Sequence, residues 1–94
     1  MASAFDRKKI WLACAVLRRA AWYSTERRTW GPAERLALRT LVPFADLRRL
    51  TQAAEALAAE PRLWSHARLR VDQLIEELQA AGLLDAPPGI DEPG

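Results

Sequence analysis

Apolar residues recur along the first part of the chain at the spacing of an α-helix. Positions four, three and four apart form one stripe, which consists of Ile10, Cys14, Leu17 and Ala21. Ser3 followed by Asp6 has the form of a capping box, in which a hydroxyl and a carboxylate satisfy backbone N–H groups of the first turn. The pattern predicts a first helix over about residues 4–23, with most of its basic residues off the stripe.

Prolines delimit the next two helices. Pro32 suits the first position of a helix because its missing N–H would have no partner there, and the residue before Pro43 is pushed out of the helical region. A short second helix should therefore end at Val42. Pro43 begins a third helix, with Asp46 in its first turn near the positive end of the helix dipole. The apolar stripe of this helix continues to Pro61, which ends it.

A fourth helix follows, and the composition of the chain then changes. Ser65 is a favourable N-cap, and Gly82 stands where a helix commonly ends in a left-handed residue. The buried face predicted for this helix consists of Val71, Leu74, Ile75 and Leu78. Residues 86–94 are rich in proline, glycine and acids, which predicts a flexible tail or linker.

These elements predict an all-α fold, a compact bundle of four to six short helices over residues 3–85. Residues 24–31 have no apolar period and end in Gly-Pro, so they predict a loop. A fifth helix has room in this loop, or arises from a break within the first or third helix. With 94 residues, of which 50% are hydrophobic and 28% charged, the chain can bury one modest core.

The composition also limits location and cofactors. A single cysteine cannot form an internal disulfide. One cysteine and one histidine cannot supply the ligands of a typical zinc site, so we expect no metal and no cofactor. No apolar run approaches the roughly 18 residues that span a bilayer, and the N-terminal residues lack a signal-peptide layout. We expect a cytoplasmic protein without a membrane partner.

The charge is divided unevenly between the two halves of the chain. Residues 1–50 carry eleven Lys and Arg against four acids, whereas residues 51–94 carry three Arg against eight acids. The balances are +7 and −5, which the net charge of +2 conceals. Such an asymmetry favours a charged partner or one of opposite polarity, and a second copy of the same chain qualifies.

No residue pattern typical of catalysis is present. Glu76 and Glu77 are neighbours on a helix, about 100° apart, so they do not converge on one point. His66 beside Ser65 lacks a third residue to orient it, and Cys14 lies on an apolar stripe where an inert thiol is the usual case. We therefore predict that the chain is not an enzyme.

The predicted function is that of a protein interaction module with two charged surfaces. The basic surface would hold arginines of the first helix and of the loop, and the acidic surface carboxylates of the fourth helix. Trp30, beside Arg-rich sequence, would be an exposed anchor. The charged contact residues that we predict are Arg18, Arg19, Arg27, Arg28, Asp72, Glu76 and Glu77.

Nucleic-acid binding is the alternative function. The stretch LTQAAEALAAEPRLWSHARLRVDQLIEELQAAGLL over residues 50–84 resembles the helix-turn-helix of winged-helix regulators, which implies DNA binding by a small regulator or phage-type protein. The second helix of this stretch carries Asp72, Glu76 and Glu77, which would repel DNA phosphates, and no wing hairpin follows Leu84. Binding would have to use an Arg-rich face elsewhere.

A second resemblance concerns the whole chain. A set of short helices ending in LIEELQAAGLLDA and a proline-rich linker is similar to the effector-associated and death-like adaptor domains of bacterial conflict systems, which include caspase-recruitment-type domains. That resemblance implies a six-helix fold and a non-catalytic role in bacterial defence or signalling, with contacts between like domains. The charge division independently favours self-association through oppositely charged faces.

Overall fold

Four α-helices make up most of the chain in a computed structural model that describes residues 3–23, 31–58 and 64–85. In order they are α1 (Ala4–Tyr23), α2 (Pro32–Leu41), α3 (Leu47–Ala58) and α4 (Trp64–Ala80). These residues contain no strand, so the prediction of an all-α bundle is confirmed. The predicted loop, apart from Gly31, and the predicted tail at 86–94 lie outside the described residues.

The capping box predicted for α1 is present. The backbone N–H of Asp6 donates to Ser3 Oγ at 3.1 Å, and the backbone N–H of Ser3 donates to Asp6 Oδ2 at 3.2 Å. Two donors that the first turn leaves open are thereby satisfied. A similar contact begins α2, where Pro32 occupies the first helical position and Glu34 Oε1 accepts from the Gly31 N–H at 2.9 Å.

The start of the third helix differs from the prediction. Pro43 does not begin it, because residues 42–46 form a turn in which the N–H groups of Phe44 and Ala45 donate to Leu41 O. α3 starts only at Leu47. Asp46 lies before the helix and caps it, since its Oδ1 accepts from the backbone N–H of Arg48 at 2.7 Å. Asp46 does stabilise the start of α3, but as its N-cap and not as a first-turn residue.

The prediction for the start of α4 is wrong, whereas the prediction for its end is confirmed. The helix begins at Trp64, so Ser65 lies in its first turn and the prediction of Ser65 as N-cap is wrong. At the other end Gly82 has a φ of 76°, its N–H donates to Gln79 O, and the N–H of Leu83 donates to Leu78 O. This pair of bonds is the Schellman motif. It turns the chain so that Leu84 is buried in the core.

One core lies between the helices, and α1 is central to it. α1 packs against both α2 and α4, and α3 packs mainly against α4. The predicted stripes of α1 and α4 are all buried, as are small or aliphatic residues of the other helices. The core includes Ile10, Cys14, Leu17, Ala21, Ala37, Leu41, Leu50, Ala53, Val71, Leu74, Ile75, Leu78 and Leu84.

Candidate interaction surfaces

Charged pairs join α1 to the C-terminal part of the chain in antiparallel register. Arg18 Nε lies 3.7 Å from Asp72 Oδ1, and Arg7 Nη1 lies 3.1 Å from Asp85 Oδ1. Arg7, the earlier of the two arginines, thus pairs with Asp85, the later of the two acids. These pairs bring the basic first half and the acidic second half of the chain into contact, so the two charge types do not form fully separate faces here.

A groove of about 200 Å³ lies along this α1–α4 contact. Its lining combines an apolar residue of the core with charged and polar side chains: Arg18, Asp72, Ile75, Glu76 and Gln79. Gln79 is also tied to the end of the chain, because its Nε2 donates to Asp85 O at 3.4 Å. We call this site the α1–α4 groove.

The α1–α4 groove carries more negative than positive charge. Asp72 and Glu76 stand one helical turn apart on α4, whereas Arg18 is the one cation among the lining residues. Burial raises the pKa of the Asp72 carboxyl, the Glu76 carboxylate raises it further, and Arg18 and Arg68 act in the opposite direction. Glu76 is exposed and has no ion pair among the described residues. The groove can therefore accept another cation.

Trp11 lies on the side of α1 that carries Arg7 and Arg18. It is four residues after Arg7 and seven before Arg18, so all three occupy one side of α1, and both arginines on that side reach the α4 part of the chain. Its exposed fraction is 40%. Trp30, the predicted anchor, lies outside the described residues, so that prediction stays a prediction, and Trp11 is an additional exposed tryptophan with charged neighbours on its helix. Its position near the edge of the helical stripe was the sequence signal for it.

An ion pair and two side-chain hydrogen bonds lie at the contact between α3 and α4. Glu77 Oε2 forms an ion pair with Arg49 Nε, and Arg49 Nη1 donates to Gln73 Oε1 at 3.2 Å. Arg70 Nη1 donates to the same oxygen at 3.1 Å. Glu77, a predicted contact residue, is thus engaged within the chain, on the side of α4 opposite to Asp72.

A second surface lies on the outward side of α1. Phe5, Lys9, Leu12 and Arg19 stand four, three and seven residues apart, which places them on one face of the helix. Val16 lies at the border of this face and packs against the core. Phe5 is 69% exposed and Leu12 49% exposed, although both are large apolar residues. Lys9 Nζ lies 5.1 Å from the centre of the Phe5 ring. We call this face the outer stripe of α1.

The predicted contact residues thus have different outcomes. Arg18, Asp72 and Glu76 come together at the α1–α4 groove, Glu77 lies in the α3–α4 contact, and Arg19 is exposed at the end of the outer stripe. Another three, Arg27, Arg28 and Trp30, lie outside the described residues. Their role as contacts stays a prediction, as does that of the whole set.

Among the described residues, the cysteine and the metal-binding residue types bear on catalysis and metal binding. Burial raises the pKa of the Cys14 thiol to about 12, so it stays protonated near neutral pH. Within residues 3–23, 31–58 and 64–85 no group of three His, Cys, Asp or Glu side chains is arranged to hold a metal ion. Over the same ranges, none of the helices has the length and apolar character required to cross a membrane.

Comparison of the chain with protein families, with curated proteins and with solved structures finds no match in any of the three. Functional inference therefore depends on the two surfaces described above.

Proposed function

We propose that this chain is a non-catalytic protein interaction module of the adaptor type, which associates with copies of itself or with a related domain. The observation that carries the proposal is the outer stripe of α1. Burying a large apolar side chain yields roughly 1.5–3 kcal/mol, and Phe5 and Leu12 leave much of that unrealised in the single chain. Exposed apolar residues rimmed by cations are typical of a protein contact.

The charges around the outer stripe fit the same role. Lys9 and Arg19 stand between and beside its apolar residues, so an acidic partner surface would be attracted and oriented by them. Affinity would come chiefly from Phe5 and Leu12, because exposed ion pairs contribute little. In the setting that the adaptor resemblance implies, a bacterial defence or signalling system, such a module would join a sensor to an effector.

Nucleic-acid binding is the competing function, and it predicts a different use of the same helix. Phosphates would be held by exposed basic side chains such as Lys8, Lys9 and Arg48. Apolar side chains such as Phe5 and Leu12 contribute nothing to a contact with phosphates. The outward side of α4 also presents Glu76, which repels a phosphate backbone. These features favour a protein partner over DNA.

Sedimentation velocity over a range of protein concentrations, alongside a titration with duplex DNA, separates the two functions. Both are done at two salt concentrations. The proposal expects self-association that weakens with salt, and no DNA binding in the micromolar range or tighter. Salt-dependent DNA binding in that range by a monomeric chain would contradict it and support the regulator function.

A further inference from the structure

We infer that the outer stripe of α1 in one copy docks into the α1–α4 groove of a second copy, so that the chain assembles head to tail. This inference rests on the proposed function and specifies which two surfaces meet. The outer stripe consists of Phe5, Lys9, Leu12 and Arg19. The groove is lined by Arg18, Asp72, Ile75, Glu76 and Gln79. Helical spacing places Trp11 on the same side of α1 as Arg18.

Exposed apolar side chains lie on the stripe and next to Arg18 on the receiving side of α1. Phe5 and Leu12 project from the stripe as exposed apolar side chains, seven residues and thus about two helical turns apart. On the receiving side Trp11 is 40% exposed, whereas Ile75, which also lines the groove, is already buried in the core. Aromatic and aliphatic side chains of this kind form the buried centre of specific interfaces. Phe5, Leu12 and Trp11 are the side chains that such a contact would cover.

The charges of the two surfaces are opposite. Lys9 and Arg19 make the stripe cationic, whereas Asp72 and Glu76 outnumber Arg18 in the groove. A symmetric contact of two outer stripes would bring lysines and arginines together, which costs free energy. A contact of two grooves would do the same with carboxylates. Charge complementarity therefore favours the stripe of one copy against the groove of another.

The positions of the surfaces allow one copy to use both at once. Trp11 and Leu12 are consecutive residues of α1 and so point about 100° apart around the helix axis. Because the stripe and the groove are different surfaces, the contact is heterologous. Such contacts repeat from copy to copy and give either a closed ring or an open filament. The wild-type chain should therefore form assemblies larger than a dimer.

Two variants, each with one surface changed, test this arrangement. The stripe variant is Leu12→Ser with Lys9→Glu, and the groove variant is Glu76→Lys. Matched controls are Leu36→Ser, which changes another exposed leucine on α2, and Glu55→Lys, which reverses an exposed acid on α3. Circular dichroism and urea unfolding first establish that each variant keeps the fold, and sedimentation velocity then measures its assembly state.

The expected result is that each variant alone is monomeric at concentrations where the wild type and both controls assemble. An equimolar mixture of the two variants should form a one-to-one dimer that does not grow. In that mixture one copy keeps only its groove and the other keeps only its stripe. The chain with both Lys9→Glu and Glu76→Lys, whose charges are exchanged between the surfaces, should regain at least part of the assembly.

Two contrary results have different meanings. If the wild type assembles but the variants assemble equally well, or their mixture stays monomeric, the stripe-to-groove contact is wrong while self-association stands. If the wild type stays monomeric throughout, the self-association in the proposed function fails, and this contact fails with it.

Discussion

The inner and outer faces of α1 have nearly the same spacing of apolar residues and opposite environments. Ile10 and Leu17 on the inner face are fully buried against α2 and α4, whereas Phe5 and Leu12 on the outer face stay exposed. A helix that covers only its own core normally has a polar outer face. The difference teaches that the fold buries only one of the two apolar faces of α1, and our proposal assigns the other to a partner. The following predictions test that division.

The largest expected effect is a difference in the free energy of unfolding between substitutions on the inner face and on the outer face of α1. Leu17→Ala should lower the free energy of unfolding by about 2–5 kcal/mol, because it removes buried methyl groups and leaves a cavity. Leu12→Ala, the same change on the outer face, should alter it by no more than about 0.5 kcal/mol. Urea unfolding under monomeric conditions measures both. Equal losses would show that the outer face also supports the fold.

The turn after α4 should have the next largest effect, because it brings Leu84 into the core. Gly82→Ala places a side chain at a φ of 76°, which costs about 1–2 kcal/mol in backbone energy alone. No atom lies within 4 Å of the added Cβ, so no clash adds to this cost. Gly82→Asn should cost less, since asparagine tolerates the left-handed region better. Urea unfolding that ranks asparagine below alanine would contradict the Schellman end.

The pH dependence of stability tests whether Cys14, on the inner face of α1, is buried. Burial raises the pKa of this thiol from 9.0 to about 12, so above about pH 9 the unfolded state loses a proton that the folded state keeps. The stability of the wild type should therefore fall, relative to Cys14→Ala, as pH rises from 8 to 10. Paired urea titrations at each pH measure the difference. A difference independent of pH would mean that Cys14 is open to solvent when folded.

The smallest expected effect is that of the ion pair between Arg18 and Asp72. A double-mutant cycle of Arg18→Ala and Asp72→Ala should give a coupling below about 1 kcal/mol, because Asp72 is partly exposed. The desolvation that raises the pKa of Asp72 also offsets part of the attraction. A coupling of several kcal/mol in urea unfolding would show instead that the pair is a main support of the α1–α4 contact.

Local sequence signals predicted the helices well where both the cap and the apolar stripe are encoded within a few residues. Ser3 with Asp6 and Gly82 with Leu83 are such cases, and their hydrogen bonds are present as expected. Pro43 misled because proline suits a turn as well as a first helical position, and the choice depends on where Asp46 finds N–H groups to cap.

The surfaces were harder to predict because they depend on how helices meet. The charge division of the sequence is real, but only packing shows that Arg18 meets Asp72 and that Arg49 meets Glu77. Packing likewise decides that Leu12 is exposed while Ile10, two residues earlier, is buried. The apolar stripe identified the inner face of α1, but an exposed leucine and a core leucine have the same local signature, so the sequence did not show that Leu12 stays exposed.

Self-association through the outer face of α1 is the central claim, and sedimentation of the wild type beside Leu12→Ser tests it most directly. We expect the wild type to form assemblies that grow with protein concentration, and Leu12→Ser to be monomeric at the same concentrations with unchanged unfolding stability. Leu36→Ser, an equally simple loss of an exposed leucine, should assemble like the wild type. Assembly of Leu12→Ser at the wild-type level, or a monomeric wild type, would contradict the claim.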